Sequence, residues 1–253
     1  MPDHKKWSRL TDIQRKGEPS LRYRGKAVLL LLLWTLWSVS AGADTPFRFE
    51  DEKTASRKAL ELFHICAFYP EYGPKEEQTL TRWEQEIRIW VGGAPTREDL
   101  RVLDAFIAEL PEKVPGLPDI RRVRQDTQSN IRIWFVPGYL LPYYIEGYVE
   151  GNWGFFHTDH PASRILSGRI GIGADLTEQE ERNHLILEEL VGALGLPGDH
   201  NLYTDSILYD GWTLTSALSE VDWRMLNMLY HPAVSPGMSW PEAQKALHEA
   251  LGL

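Results

Sequence analysis

Three short stretches of this chain alternate apolar with other residues: EIRIWV (Glu86 to Val91), IRIWFV (Ile131 to Val136) and RIGIG (Arg169 to Gly173). A period of two sends successive side chains to opposite faces, so each stretch reads as a strand with one buried face. In the first, Ile87, Ile89 and Val91 oppose Arg88 and Trp90. In the second, Ile131, Ile133 and Phe135 share a side. None of these strands can bury its apolar face alone, so the chain must bring them together and cover the sheet.

Helix signals stand between and around them. Residues 52–67 place Ala59, Leu60, Phe63 and Ala67 at helical spacing. Gly92 and Gly93 end the first strand, and Thr96 with Asp99 opens a helix as a capping box. Leu100, Leu103, Phe106, Ile107 and Leu110 line one face of that helix, and Pro111 and Pro115 mark its exit. Thr177 and Glu180 open a further helix to about Leu194, stopped by Gly195 and Pro197. Ser219 and Asp222 start another, with Met225, Leu226 and Leu229 on one face and Pro232 and Pro236 beyond. Ser239 and Glu242 cap a short C-terminal helix. Helix, strand, helix, two or three strands, then helices is the order of a single α+β domain.

Between the second and third strands lies PGYLLPYYIEGYVEGNWGFFHTDHPA, whose Gly, Pro and aromatic content reads as a long decorated loop or a hairpin. The aromatic segment Tyr139 to Phe156 suits either a cleft lining or the core. His157 and His160, in HTDH, have ligand-like spacing but no supporting cluster, and read as a polar loop segment.

The N-terminus reads as separate from the fold. Eight basic residues precede AVLLLLLWTLWSV, and Ala41-Gly42-Ala43 follows it. That is the pattern of a secretory signal peptide over residues 1–43, with an uncleaved membrane anchor as the alternative. This thirteen-residue stretch falls short of the roughly 20 residues of a typical span. The leader holds 8 basic and 3 acidic residues, so residues 44–253 carry −14 against −9 for the whole chain. Such a charge disfavours nucleic acid and anionic lipid as partners. With Cys66 as the one cysteine, no internal disulfide can form. Cys66 reads as a small buried apolar residue. No GxSxG or Walker pattern occurs, and nothing suggests a nucleotide cofactor.

One helix carries the most specific pattern. Leu187 to Asp199, LEELVGALGLPGD, overlays the metzincin zinc-binding helix HExxHxxGxxH with Glu on Glu189 and Gly on Gly195. The three His positions then fall on Glu188, Gly192 and Gly198. The helix follows a strand ending RIGIGADL, as the metzincin helix follows its edge strand. Downstream, DSILYDG resembles a Met-turn with Leu208 at the Met position, and SEVDWRMLNMLY resembles the closing helix through Ser219, Asp222, Leu229 and Tyr230.

Across residues 84–230 the chain looks like an exported bacterial family, domain of unknown function 2927. It shares the patterns EELVGALGL, SILYD, LYHP and the closing Gly237-Met238, and departs at Gly192, where that family tends to have Gln. The resemblance implies a zincin-like fold for residues 44–253: a mixed sheet, an active-site-type helix and a helical C-terminal part. It supplies no activity.

Catalytic zinc takes three protein ligands and keeps one position for water. Glu188 can ligate, but Gly192 and Gly198 have no side chains, so no catalytic zinc is expected. Glu189, the general-base position, is then only a carboxylate. Under the bland reading, Glu188 and Glu189 are surface or capping acids, Gly192 is kept mid-helix for close packing against another element, and Gly195 is an ordinary helix stop. A rearranged cation site would draw on His184, Glu188, Asp199 and His200, with solvated side chains as the default. Three functions remain open. The first is a non-catalytic binding or scaffolding module of the cell envelope, its cleft holding a peptide or envelope protein. The second is a hydrolase with a displaced metal site around Glu189. The third is a membrane-tethered assembly protein.

Overall fold

The computed structural model describes residues 51–175 and 178–253. The leader, and Thr177 of the expected capping box, lie outside the described residues. Helix α1 (Glu52–Phe68) is capped by Asp51, whose carboxylate accepts from the Thr54 N–H at 2.8 Å. After the short strand β1 (Arg82–Trp83) come β2 (Ile87–Gly93), α2 (Arg97–Lys113), β3 (Ile120–Arg122) and β4 (Ile131–Val136). A one-turn helix α3 (Leu141–Tyr144) leads to β5 (Gly154–Asp159), β6 (Arg164–Ile165) and β7 (Ser167–Gly173). Helices α4 (Gln179–Leu194), α5 (Glu220–Leu229) and α6 (Trp240–Leu251) complete the chain.

The three alternating stretches become β2, β4 and β7, the inner strands of a five-stranded sheet ordered β3-β2-β4-β7-β5. All pairs are parallel except β5 with β7. Ile87, Ile89, Ile131, Ile133, Phe135, Ile170 and Ile172 form one buried face, continuous with the core side chains of α2 and α4. The fold is α+β with a mixed sheet.

Four expectations need correction. The strand before α4, β7, is interior; the edge is β5. Of the two readings of the aromatic stretch, a loop or a hairpin, the hairpin is the one that forms: the stretch holds α3 and the edge strand β5, which pairs antiparallel with β7, and His157 lies in β5 rather than in a loop. Strand β2 runs on through Gly92 and Gly93, because Gly93 pairs with Phe135. Helix α2 passes Pro111 and ends at Lys113, since the missing proline N–H costs only one bond in the last turn.

The outer face of the sheet explains the glycines of RIGIG. A side chain at Gly171 would meet Leu141 and Ile145, and one at Gly173 would meet Trp153. The aromatic segment is therefore divided: Leu141, Ile145 and Trp153 cover this outer face, Tyr143 and Tyr144 border a groove on it, and Phe156 turns inward onto α4. Leu141, Ile145 and Phe155 are buried, while Tyr139 and Tyr143 are exposed.

The C-terminal half locks onto the N-terminal helix. Arg224 of α5 donates to both oxygens of Glu52 at 2.6 and 2.7 Å, and α1 packs on α5 and α6. The capping boxes expected at Thr96, Ser219 and Ser239 all form. Cys66 is fully buried, and that burial pushes its thiol well above the ordinary range. No described helix is long and apolar enough to cross a membrane.

Candidate functional site

Helix α4 lies at the centre of the described fold. Twelve of its sixteen residues are buried, so it is enclosed on nearly every side rather than along one stripe. Its C-terminal carbonyls, which have no partner within the helix, are satisfied from outside. Trp83 Nε1 donates to Ala193 O at 2.9 Å, and the Tyr230 hydroxyl donates to Leu194 O at 2.7 Å. Gly195 then turns the chain with φ +121°, a conformation that excludes a Cβ, and its backbone presses against Thr81.

The four positions of the overlaid motif have different surroundings. At Gly192 an added Cβ would stand 2.3 Å from the ring of Phe156, which β5 sends down onto the helix. At Gly198 it would stand 2.2 Å from the carbonyl oxygen of Tyr69. The Gly198 N–H donates to Cys66 O at 2.9 Å, so this turn is seated on the end of α1. Glu189 is buried, and its carboxylate lies so close to Gly154 that a Cβ there would be 2.4 Å from Oε1. Glu188 is mostly covered and faces His184, Oε2 to Nε2, at 3.3 Å. The reading of both glutamates as surface acids is thus corrected: α4 is buried on their side too.

The residues of the rearranged cation site are divided between two networks. His184 is buried, and its Nδ1 donates to Thr215 O at 2.7 Å. His200 belongs elsewhere. Its backbone pairs with the Met-turn-like segment, N–H to Leu208 O at 3.0 Å and O from the Asp210 N–H at 2.7 Å. Its Nδ1 accepts from the Leu202 N–H at 3.2 Å, so Nε2 carries the proton and donates to Ser206 Oγ at 3.0 Å. Ser206 in turn donates to Asp222 Oδ1 at 2.5 Å. Leu208 is core, and half-buried Asp199 lines a groove of about 260 Å³ with Tyr69 and Asp210. His184 and His200 are not solvated side chains; packing around α4 and the following turn has enclosed both.

The buried His200–Ser206–Asp222 chain was not foreseen. In a nucleophile triad the His stands between Ser and Asp. Here Ser stands in the middle, and all three are at most 3% exposed. The arrangement orders the turn; it does not activate the hydroxyl. Burial holds His200 down at about 4, with Asp205 pulling weakly the other way. The sequence signal that was available is Asp222, which caps α5 and so had to sit near whatever preceded that helix.

A zincin-type ion needs three donors. This chain offers Glu188, already against His184, and two glycines whose space is taken by Phe156 and by α1. The residues do not fit the ion. Among the described residues, no three His, Cys, Asp or Glu side chains are placed to share one. HTDH is no exception: His157 pairs with Asp159 at 3.5 Å, and His160 Nδ1 lies against its own strand.

The family described as "Protein of unknown function (DUF2927)" matches residues 56–249. The chain belongs to that family. Two solved structures, "Structure of myroilysin" and "Crystal structure of myroilysin", are similar at 14% identity and a TM-score of 0.39 each. They cover 61% and 68% of this chain, and 97% and 96% of their own. No curated protein matches the sequence.

The Phe156–Gly192 contact can be tested directly. In an ordinary helix interior, Gly to Ala stabilises by about 1 kcal/mol. Here the new methyl overlaps an aromatic ring held in a strand, and overpacking costs about 1–3 kcal/mol. Gly192→Ala is therefore expected to destabilise by about 1 kcal/mol net. In a Phe156→Leu background the same change should become stabilising. Chemical denaturation of the four proteins measures that sign reversal, and its absence would remove Phe156 as the reason for Gly192.

Proposed function

We propose that this chain is an exported, zincin-like protein that no longer uses catalytic zinc and works as a non-catalytic binding module of the cell envelope. The observation that carries the reading is the Phe156 ring packed where a ligand side chain at Gly192 would project. A protein still selected for zinc would have no use for an aromatic ring in that place. The seating of Gly198 on α1 supports the same conclusion. Glu189, tucked under Gly154, has no open face from which to activate water.

Binding is supported at the edge of the sheet. Among the described residues no strand pairs with the outer side of β5, so that side of its backbone offers a template for an extended segment. A peptide or a segment of an envelope protein suits that position. Export rests on the basic, apolar and small-residue pattern of residues 1–43.

The full chain, purified without chelators, is expected to contain far less than one zinc per molecule and to leave mixed peptide substrates uncut. Glu189→Gln should change neither result. Stoichiometric zinc together with cleavage that Glu189→Gln abolishes would sink the proposal. N-terminal sequencing of the exported product separates a released protein, beginning near Asp44, from one tethered by its leader.

A further inference from the structure

The outer face of the sheet, away from α4, carries a second feature that the reading above does not use. In a chain of net charge −9, Arg132 of β4 and Arg169 of β7 stand side by side in register. Neighbouring strands are about 4.8 Å apart, so the two guanidiniums share one patch. Each has acidic neighbours that stand off from it: Asp126 at 3.6 Å from Arg132, Glu146 at 3.5 Å from Arg169, and Asp159 acting on Arg169 through space. Both distances exceed the roughly 2.7–2.9 Å of a charge-assisted hydrogen bond, so the donor forks are not saturated by them. Next to the arginines stands an aromatic wall. Trp134 packs edge-on against Trp90 at 4.7 Å and is tilted against Tyr144 at 4.8 Å. Arg132, Trp134, Tyr143, Tyr144, Glu146 and Arg169 line a groove of about 490 Å³, and Tyr143 is 82% exposed at its rim.

We infer that this groove binds a carboxylate carried on a ring-shaped body, aromatic acid or sugar acid. Planar guanidinium forks match a carboxylate in two-point fashion. The aromatic wall offers a flat apolar surface to the ring beside it. The volume falls within the roughly 300–1,000 Å³ usual for small-ligand sites. Charge decides between anions. The two guanidiniums lie beside Glu146 in the lining and beside Asp126 and Asp159 just outside it, so little positive charge is left over and a singly charged anion is favoured over a doubly charged one. A phosphate ester brings nearly two charges to a strongly acidic protein. The site lies on the opposite sheet face from Glu189, so its success or failure is separate from that of the zinc-free reading.

The test uses the full chain in calorimetric titrations, with tryptophan fluorescence reporting on the wall. The aromatic arm compares benzoate with neutral benzamide and with phenyl phosphate. The sugar arm compares glucuronate with glucose and with glucose 6-phosphate. At least one acid should bind saturably, more tightly than both of its counterparts, and the arm in which it does so identifies the ring. Arg132→Gln and Arg169→Gln should each weaken that binding about tenfold, the loss of one charge-assisted contact. Arg169→Lys, keeping charge without the fork, should fall between. Tyr143→Ala, at an exposed site where folding is not at stake, should weaken it less. Absence of saturable binding by either acid would overturn the inference. So would equal binding of the neutral or phosphate counterparts, or parent-like affinity in arginine variants of unchanged melting temperature.

Discussion

Replacing Asp222 by Ala is expected to destabilise the protein by about 4 kcal/mol or more, a large part of the roughly 5–15 kcal/mol that holds a typical domain folded. The carboxylate is fully buried and accepts four hydrogen bonds. Ser206 Oγ reaches Oδ1 at 2.5 Å, while Ile207 N, Ser219 N and Ser219 Oγ reach Oδ2 at 3.0, 2.8 and 2.7 Å. It joins the Met-turn-like segment to the start of α5 and completes that helix's capping box. Alanine strands these donors, each at about 1–3 kcal/mol when water cannot reach it. Burial raises the carboxyl above its ordinary value although all four bonds pull it down, so the site already bears a desolvation cost.

Asp222→Asn discriminates between shape and acceptance. Its carbonyl oxygen can keep the three donors at the Oδ2 position, but its amide then faces Ser206. That hydroxyl oxygen already accepts from His200 Nε2 and from the Leu208 N–H at 3.1 Å, and it has two lone pairs. The asparagine variant should lose about 1–2 kcal/mol. Denaturant midpoints at unchanged slope give both values. An alanine variant within about 1 kcal/mol of the parent would mean that water reaches these donors after the carboxylate is gone.

Why some of this was legible before the structure and some was not has a physical cause. Strands β2, β4 and β7 announced themselves because each has one face on the core and one off it, which writes alternation into the sequence. Strand β5 did not. Its inward positions are Gly154 and Phe156, fitted to Glu189 and Gly192 of α4, and its outward ones include Phe155 and His157. No apolar period survives such a fit. The glycine of α4 could be read as a missing ligand or as a close-packing position, but the partner that fills the space, an aromatic ring 36 residues earlier in the chain, could not be named. Polar burial was likewise hidden. His184, Glu189 and His200 have the composition of a surface, and only the enclosure of α4 by β5, α2 and the turn after it makes them interior.

Acidification tests that enclosure where it is most consequential. His200 is held at about 4 by burial, against about 6.5 when exposed in the unfolded chain. Between these values the unfolded chain takes up a proton that the folded one refuses, so the unfolded state gains as pH falls. The sign is that of a base with a depressed folded value. Its penalty is absent above about pH 6.5, grows as pH drops through the window, and levels off near pH 4. The full interval corresponds to about 3 kcal/mol. Geometry gives the same direction: a second ring proton, on Nδ1, would confront the Leu202 N–H that now donates to it. Asp222, raised by burial, acts in the opposite sense over its own window, so the measurement has to isolate the imidazole. His200→Gln does so, since it keeps a donor toward Ser206 and cannot titrate. Denaturation midpoints taken from pH 7 down to pH 4 should fall in the parent by about 3 kcal/mol more than in the glutamine variant. Parallel curves for the two proteins would show that His200 accepts its proton in place, and that the turn joining α4 to the Met-turn-like segment opens to water well before the domain unfolds.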